Sequence, residues 1–241
     1  MSTTPTRHNN RTGSHLSEEQ LQQMIEGTRE FAPTSKGSAK LTANNRMTYA
    51  EDGETVGSYV PPENLRAFKD AAERAPNEQT MDKFMDKLGA RLAFERSGVR
   101  LYEGMIAKVE ALGSFEGGPS VEDLQHIRDE EFEHFTMLRD CIEQLGGDPT
   151  AVTPSGDVQA TLLKGVSDVM ADPRIGVVYS LEALLIAELS DHASWDALEE
   201  IARSAGAEDM ADLFDSALDK EEEHLNMVES WIAAAIKLEA S

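Results

Sequence analysis

The chain is poor in cysteine, aromatics and positive charge, and each shortage removes a class of function. A single cysteine, Cys141, in 241 residues excludes an intrachain disulfide framework, a CxxC redox pair and a Cys-rich zinc or rubredoxin-type site. Metal chemistry, if present, therefore falls to carboxylates and histidines. Lys plus Arg number 22 against 45 Asp plus Glu, a formal net charge of −23. Such a surface repels polyphosphate, so no nucleic-acid partner is expected. No apolar run reaches the roughly 18 residues of a membrane-spanning helix. The opening MSTTPTRHNNRTGSHLSEEQ has no apolar signal-peptide core, which makes a cytoplasmic protein without a membrane partner the expectation. Aromatics make up 6% of the chain, leaning toward helices rather than a β-sandwich. No Gly-rich phosphate loop, GxSxG or strand-borne Ser-His-Asp set occurs.

What the chain does contain divides near residue 79. Residues 1–79 hold much of the Thr, Asn and Pro and little sustained periodicity. A segment of that kind buries too little apolar area to offset its ordering entropy, so it reads as largely disordered or extended. Two short helices are expected within it, one after Ser17 through Leu21, Met24 and Phe31, and one from Glu63 to Glu73 after Pro61-Pro62.

Residues 80–241 carry four long amphipathic segments and no convincing period-2 alternation. The first places Met85, Leu88, Leu92, Glu95, Val99, Tyr102, Ile106 and Val109 on one stripe. The second starts near Ser120 and repeats the spacing through Leu124, Ile127, Glu131, His134, Leu138, Cys141 and Leu145, stopping at Gly146-Gly147. The third follows Pro173 and Gly176 through Val178, Leu181, Leu185, Glu188, His192, Trp195 and Leu198. The fourth starts near Glu208 and uses Phe214, Leu218, Glu221, Leu225, Val228 and Ile232, with His224 beside that line. Short Gly-containing loops join the first segment to the second and the third to the fourth, which favours antiparallel hairpins. The long stretch between the second and third must be a crossover, and Leu162, Leu163, Val166, Val169 and Met170 suggest a short helix inside it. The fold class is all-α, a four-helix bundle of two antiparallel hairpins with a long crossover.

Glu95, Glu131, Glu188 and Glu221 each occupy an apolar-stripe position near the middle of a helix. A buried carboxylate is costly unless it is paired or bound to a metal, and four meeting in one core repel strongly. Two multivalent cations reverse that sign. Glu131 with His134, and Glu221 with His224, stand at i and i+3 on one helical face, so one turn can present a carboxylate and an imidazole to one ion. With one Glu from each of the other two helices, the set becomes four Glu and two His for two metals.

On these residues the chain resembles the ferritin-like superfamily of carboxylate-bridged diiron proteins, which includes bacterioferritins and rubrerythrins. The resemblance covers roughly residues 80–236. It implies that Glu95 is a terminal ligand of a first metal together with His134, that Glu188 is terminal to a second together with His224, and that Glu131 and Glu221 bridge. Tyr102, two turns after Glu95, matches a tyrosine that many members place near the metals in a hydrogen-bonding or electron-transfer role. The implied cofactor is two iron ions, with manganese as the other candidate. The implied partners are Fe(II), dioxygen or hydrogen peroxide, and an electron donor the sequence does not identify; a homodimer also fits this family. Rubrerythrins' cysteine-ligated iron domain is absent, and nothing matches the fifth helix of cage-forming ferritins, so a storage cage is not expected.

Several residues invite a competing reading. Asp123 and His126 also stand at i and i+3 but lie off the stripe and read as surface residues. Glu182 competes with Glu188, yet Glu188 precedes Glu221 by 33 positions and Glu95 precedes Glu131 by 36, against 39 for Glu182. His192 reads first as a core histidine, with ligand and second-layer roles open. Glu103, Glu130, Glu133, Glu222 and Glu223 fall on flanking or solvated positions by periodicity, with a role behind a metal ligand open for one of them. The expected function is a non-haem diiron protein with ferroxidase or peroxide-reducing chemistry. The alternatives are a diiron oxygenase or oxidase with an apolar cavity beside the metals, and a non-catalytic bundle that recruits a partner.

Overall fold

A computed structural model describes residues 18–30, 37–51, 53 and 64–240. Its elements are α1 (Glu18–Glu30), α2 (Ala39–Glu51), α3 (Leu65–Arg74), α4 (Glu78–Leu112), α5 (Val121–Gln144), α6 (Pro154–Leu162), α7 (Lys164–Ala171), α8 (Val177–Ser204) and α9 (Glu208–Glu239). No strand occurs among the described residues. The chain forms two compact units, one holding α1 and α2 and the other α3 to α9. Among the described residues no helix is long and apolar enough to cross a membrane.

In the smaller unit, α1 covers the first helix expected in the N-terminal segment, while Ser17 and Phe31 lie outside the described residues. α2 forms where the sequence shows no apolar periodicity, and consistently it buries no side chain. Its first turn is closed by Ser38, whose hydroxyl accepts from the Leu41 N–H at 3.2 Å. In the larger unit α3 begins at an Asn64 cap, which accepts from the N–H groups of Arg66 and Ala67; Pro61-Pro62 also lie outside the described residues.

α4 and α5 form one hairpin and α8 and α9 the other. Each long helix starts and stops where local chemistry directs. Asn77 caps α4 by accepting from the Thr80 N–H. Ser120 and Asp123 form a reciprocal capping box at the start of α5, which is the role of Asp123. The crossover contains α6 and α7, two short helices where one was expected, because Thr153 caps α6 and then Leu163 turns the chain directly into α7. Thr153 is buried and donates its hydroxyl to the carbonyl of Asp86 at 3.1 Å. Gly89 gives it room, since a Cβ there would overlap the Thr153 side chain.

The apolar stripes do not merge into one continuous core. At one end Phe84, Leu88, Leu138, Trp195, Leu198 and Phe214 pack together. At the other end Tyr102, Met105, Ile127, Leu181, Leu184 and Val228 do so. The four stripe glutamates lie in the chain between these sets on every long helix, so a polar layer separates two apolar ones. Burial of each large apolar side chain contributes roughly 1.5–3 kcal/mol, and the two clusters offset the cost of that layer.

The α5 C-terminus shows how one glycine docks α3. Gly146 has φ +81°, its N–H bonds Glu143 and the Gly147 N–H bonds Ile142 at 2.9 Å, closing the helix in a left-handed cap. Its carbonyl accepts from the Asn64 N–H at 3.1 Å. A Cβ on Gly146 would lie 2.5 Å from the Asn64 carbonyl oxygen and 2.7 Å from the Phe68 nitrogen, both main-chain atoms. Gly146→Ala should therefore lower stability by about 1–3 kcal/mol, measured as a shift in the urea midpoint; an unchanged midpoint would show that α3 does not need this contact.

Candidate metal centre

All seven side chains singled out for the site converge at the polar layer. α4 supplies Glu95 and Tyr102, α5 supplies Glu131 and His134, α8 supplies Glu188, and α9 supplies Glu221 and His224; every one is buried. Ligand atoms of Glu131, Glu188, Glu221 and His224 lie within 4.8 Å of one another, as do those of Glu95, His134 and Glu221. Glu221 sits between the two histidines, its oxygens 2.8 Å from His134 Nδ1 and 3.3 Å from His224 Nδ1. His224 Nδ1 is also 3.7 Å from Glu131, and His134 Nδ1 is 3.8 Å from Glu95. The Tyr102 hydroxyl donates to Glu188 Oε1 at 2.5 Å.

The close approach of α4 and α5 depends on Gly98. It follows Glu95 by one turn, and a Cβ there would overlap the Glu131 carboxylate.

Three participants escape the stripe pattern. Arg91 is 3% exposed and its Nη2 donates to both Glu95 and Asp191. Asp191 stands at i+3 from Glu188 and is 1% exposed; it faces the layer where His192, one position on, is only half-buried. The i, i+3 spacing of Glu188 and Asp191 was a usable signal, the same one that marks Glu131 and His134. Glu130 accepts from His224 Nε2 at 2.9 Å and pairs with Lys220 at 2.9 Å. With Nε2–H held by Glu130, Nδ1 is the ring atom that faces the carboxylates and would ligate a metal on giving up its proton. Glu130 is thus not a solvated flank, because its side chain is 12% exposed. Glu182 is exposed, which leaves Glu188 as the α8 glutamate of the cluster. His126 has a side chain 65% exposed and touches Glu130 at 3.5 Å. Trp195 is buried and meets the His134 ring edge-on at 5.4 Å between centroids. Burial raises the Cys141 thiol to about 11, so it behaves as a small apolar side chain.

The electrostatics follow from burial. Loss of solvent, then the charge of Glu221, push the Glu131 carboxyl well above its ordinary range. Burial does the same to Asp191 against the opposing pull of Arg91, and raises Glu188 to about 8 although Tyr102 and His224 oppose it. Glu221 is the exception. Burial would raise it, but His134 and His224 on either side outweigh that and hold it at about 2. His224 is raised in turn to about 9, the contacts with Glu221, Glu188 and Glu130 overcoming burial.

The donor set fits a multivalent cation. Glu95 Oε2, Glu131 Oε2 and Glu188 Oε2 are buried without a hydrogen-bond partner, while Glu221 Oε1 has only His134 Nδ1 beside it, at 2.8 Å. Buried polar atoms are almost always satisfied, and these three oxygens come from α4, α5 and α8.

A ferritin-like domain matches residues 86–236, and the chain belongs to that family. Neither the curated proteins nor the solved structures contain a match to it.

Two outcomes are expected. In protein stripped of metal, Glu188 has a folded value near 8 against an ordinary 4.5. The folded chain then holds a proton that the unfolded chain releases, so this contribution is complete below pH 4.5 and is lost as pH rises through 8. His224, raised to about 9, acts in the same direction over its upper range. Thermal midpoints of stripped protein should fall between pH about 5 and about 8, and Glu188→Gln should flatten the fall; a rising midpoint would contradict the assignment. Gly98→Ala, which alters no donor atom, should weaken divalent metal binding roughly tenfold or more, read by Co(II) titration, and unchanged affinity would show that Glu131 has room to move.

Proposed function

We propose that the bundle holds two iron ions and oxidises Fe(II) with dioxygen or hydrogen peroxide, as a ferroxidase in iron handling or as a peroxide reductase of the rubrerythrin type. The observation that carries this reading is the set of three partnerless carboxylate oxygens gathered with two imidazoles in one buried layer. Glu95 and His134 would hold one ion, Glu188 and His224 the other, with Glu131 and Glu221 shared between them. A pair of Fe(II) ions supplies two electrons at one place, the number that takes one peroxide and two protons to two waters. Manganese would use the same donors.

The surrounding residues suit that task. Tyr102 fixes one oxygen of Glu188 and leaves the other free. Glu130 orients His224 and, through His126 at 3.5 Å, connects the cluster to the surface by groups that can carry protons. Arg91 supplies a permanent positive charge beside Glu95 and Asp191. The acidic exterior attracts Fe(II) to the molecule.

A diiron oxidase or oxygenase acting on an organic substrate is the second reading. It has one specific support, a groove of about 630 Å³ between α4, α6 and α8 whose wall includes Arg91.

Elemental analysis of purified protein, followed by anaerobic Fe(II) loading and mixing with dioxygen or peroxide, tests the proposal. About two irons per chain are expected, with a rise in ferric absorbance well above the buffer rate, and the faster oxidant separates the two reactions. Glu131→Ala should remove at least one iron and most of the rate, while raising the stability of stripped protein by relieving repulsion. No stoichiometric metal, with oxidation no faster than buffer, would sink the reading.

A further inference from the structure

The groove between α4, α6 and α8 has a chemical character unlike the rest of the molecule. Its apolar wall comes from Val158 and Leu162 on α6 and from Ala193, Ala197 and Leu198 on α8. Val158 is 57% and Leu162 67% exposed, so this surface stands open to solvent instead of closing on itself. Lys87 and Arg91 line it, and no acidic side chain does among the described residues. In a chain with 45 acidic and 22 basic residues, a concavity whose charged lining is wholly cationic suits an anion, although the charge of Arg91 is shared with Glu95 and Asp191 behind it.

Arg91 adds a second, independent observation. It is 3% exposed, and its Nη2 serves Glu95 and Asp191, but Nε and Nη1 have no hydrogen-bond partner. Its guanidinium carbon lies 4.4 Å from the Phe94 ring centre and 5.1 Å from that of Trp195. Those faces fix the planar group but satisfy neither N–H. Buried charged donors left unpaired are costly, and a ligand acceptor removes the cost. Lys87, at the rim, donates to the Ser155 hydroxyl at 3.1 Å.

We propose that this groove binds an amphiphilic monocarboxylate, with the carboxylate at Arg91 and Lys87 and a hydrocarbon tail along α6 and α8. A carboxylate accepts charge-assisted hydrogen bonds from a guanidinium. Arg91 already shares its charge with two carboxylates, which leaves Lys87 as the one cation of the groove without a carboxylate partner there and disfavours a dianion such as phosphate. The volume, about 630 Å³, falls within the roughly 300–1,000 Å³ of small-molecule sites. The groove and Arg91 carry this inference by themselves. It gives the second functional reading a ligand class without depending on iron.

The test is calorimetric titration of the full-length protein with decanoate, kept below its micelle-forming concentration, with decanol and acetate as comparators. Saturable binding of one decanoate per chain is expected, with decanol and acetate each weaker by roughly tenfold or more, the loss of either the charged contact or the tail. Ala197→Trp, which fills the groove without touching Arg91, should weaken decanoate by at least as much. Arg91→Gln should bring decanoate down to the affinity of decanol; if that variant does not fold, the Ala197→Trp and decanol comparisons decide alone. Decanoate binding no tighter than decanol, or unaffected by Ala197→Trp, would overturn the proposal. So would a protein dimer that Ala197→Trp dissociates, which would give the groove to a second copy. Iron content enters none of these readouts, so a failure here is distinguishable from a failure of the diiron reading.

Discussion

Repulsion among buried carboxyl groups is the constraint around which the bundle is organised. Glu95, Glu131, Glu188, Asp191 and Glu221 share one layer between four helices, each no more than 2% exposed. Left ionised and unpaired, such a set would oppose every packing contact above and below it. The structure answers with burial that pushes Glu131, Glu188 and Asp191 toward their neutral forms, with the imidazoles of His134 and His224 around Glu221, and with the guanidinium of Arg91. These are partial answers, because carboxylate oxygens of Glu95, Glu131 and Glu188 remain unsatisfied. Apolar layers at both ends hold the helices against the remainder. The order of residues along each helix is therefore fixed, with an apolar block, a polar turn and a second apolar block.

Arg91 bears on both functional readings. It provides one resident positive charge against five carboxyl groups, leaving a formal deficit that two divalent ions would cancel. It is also the point at which the groove and the polar layer share a side chain. A ligand drawn to its free donors would compete with Glu95 and Asp191 for the same charge.

The long helices were legible because their stripes are dense. On α5 all seven stripe positions are buried, from Leu124 to Leu145. The six proposed ligands could be singled out for the same reason, as carboxylates and imidazoles at positions where periodicity demands apolar side chains. Arg91 was not legible in that way. Asp191 carries the i, i+3 spacing from Glu188, but it sits beside His192, the commoner type of metal ligand, and the helical angle turns the aspartate inward instead. Arg91 is a full turn before Glu95, where a cation ordinarily reads as a solvated i, i+4 partner; only the approach of α8 shows that it is enclosed. Glu130 could not be told apart from the other flanking glutamates because periodicity describes one helix at a time, whereas its partners His224 and Lys220 come from α9. Gly98 carried no signal either, since its smallness matters only against Glu131 on a neighbouring helix. The crossover was read as a single helix because its apolar residues cluster in the second half, while α6 is held by Thr153 at Gly89, a contact between distant parts of the chain.

The two hairpins repeat a pattern, yet the halves of the layer are not equivalent. Each contributes a lone glutamate and a Glu-x-x-His, so the donor types match. Their surroundings do not. The Glu95 and His134 half has Arg91 as a neighbouring cation and Trp195 against the imidazole. The Glu188 and His224 half has a tyrosine hydroxyl on the glutamate and a carboxylate behind the imidazole. A positive neighbour lowers the attraction of a site for a further cation, whereas a carboxylate behind a histidine raises the basicity of its ligating nitrogen. Repetition in the sequence thus accounts for which atoms face the centre, and the differences between the neighbouring side chains account for how strongly each half would draw a metal.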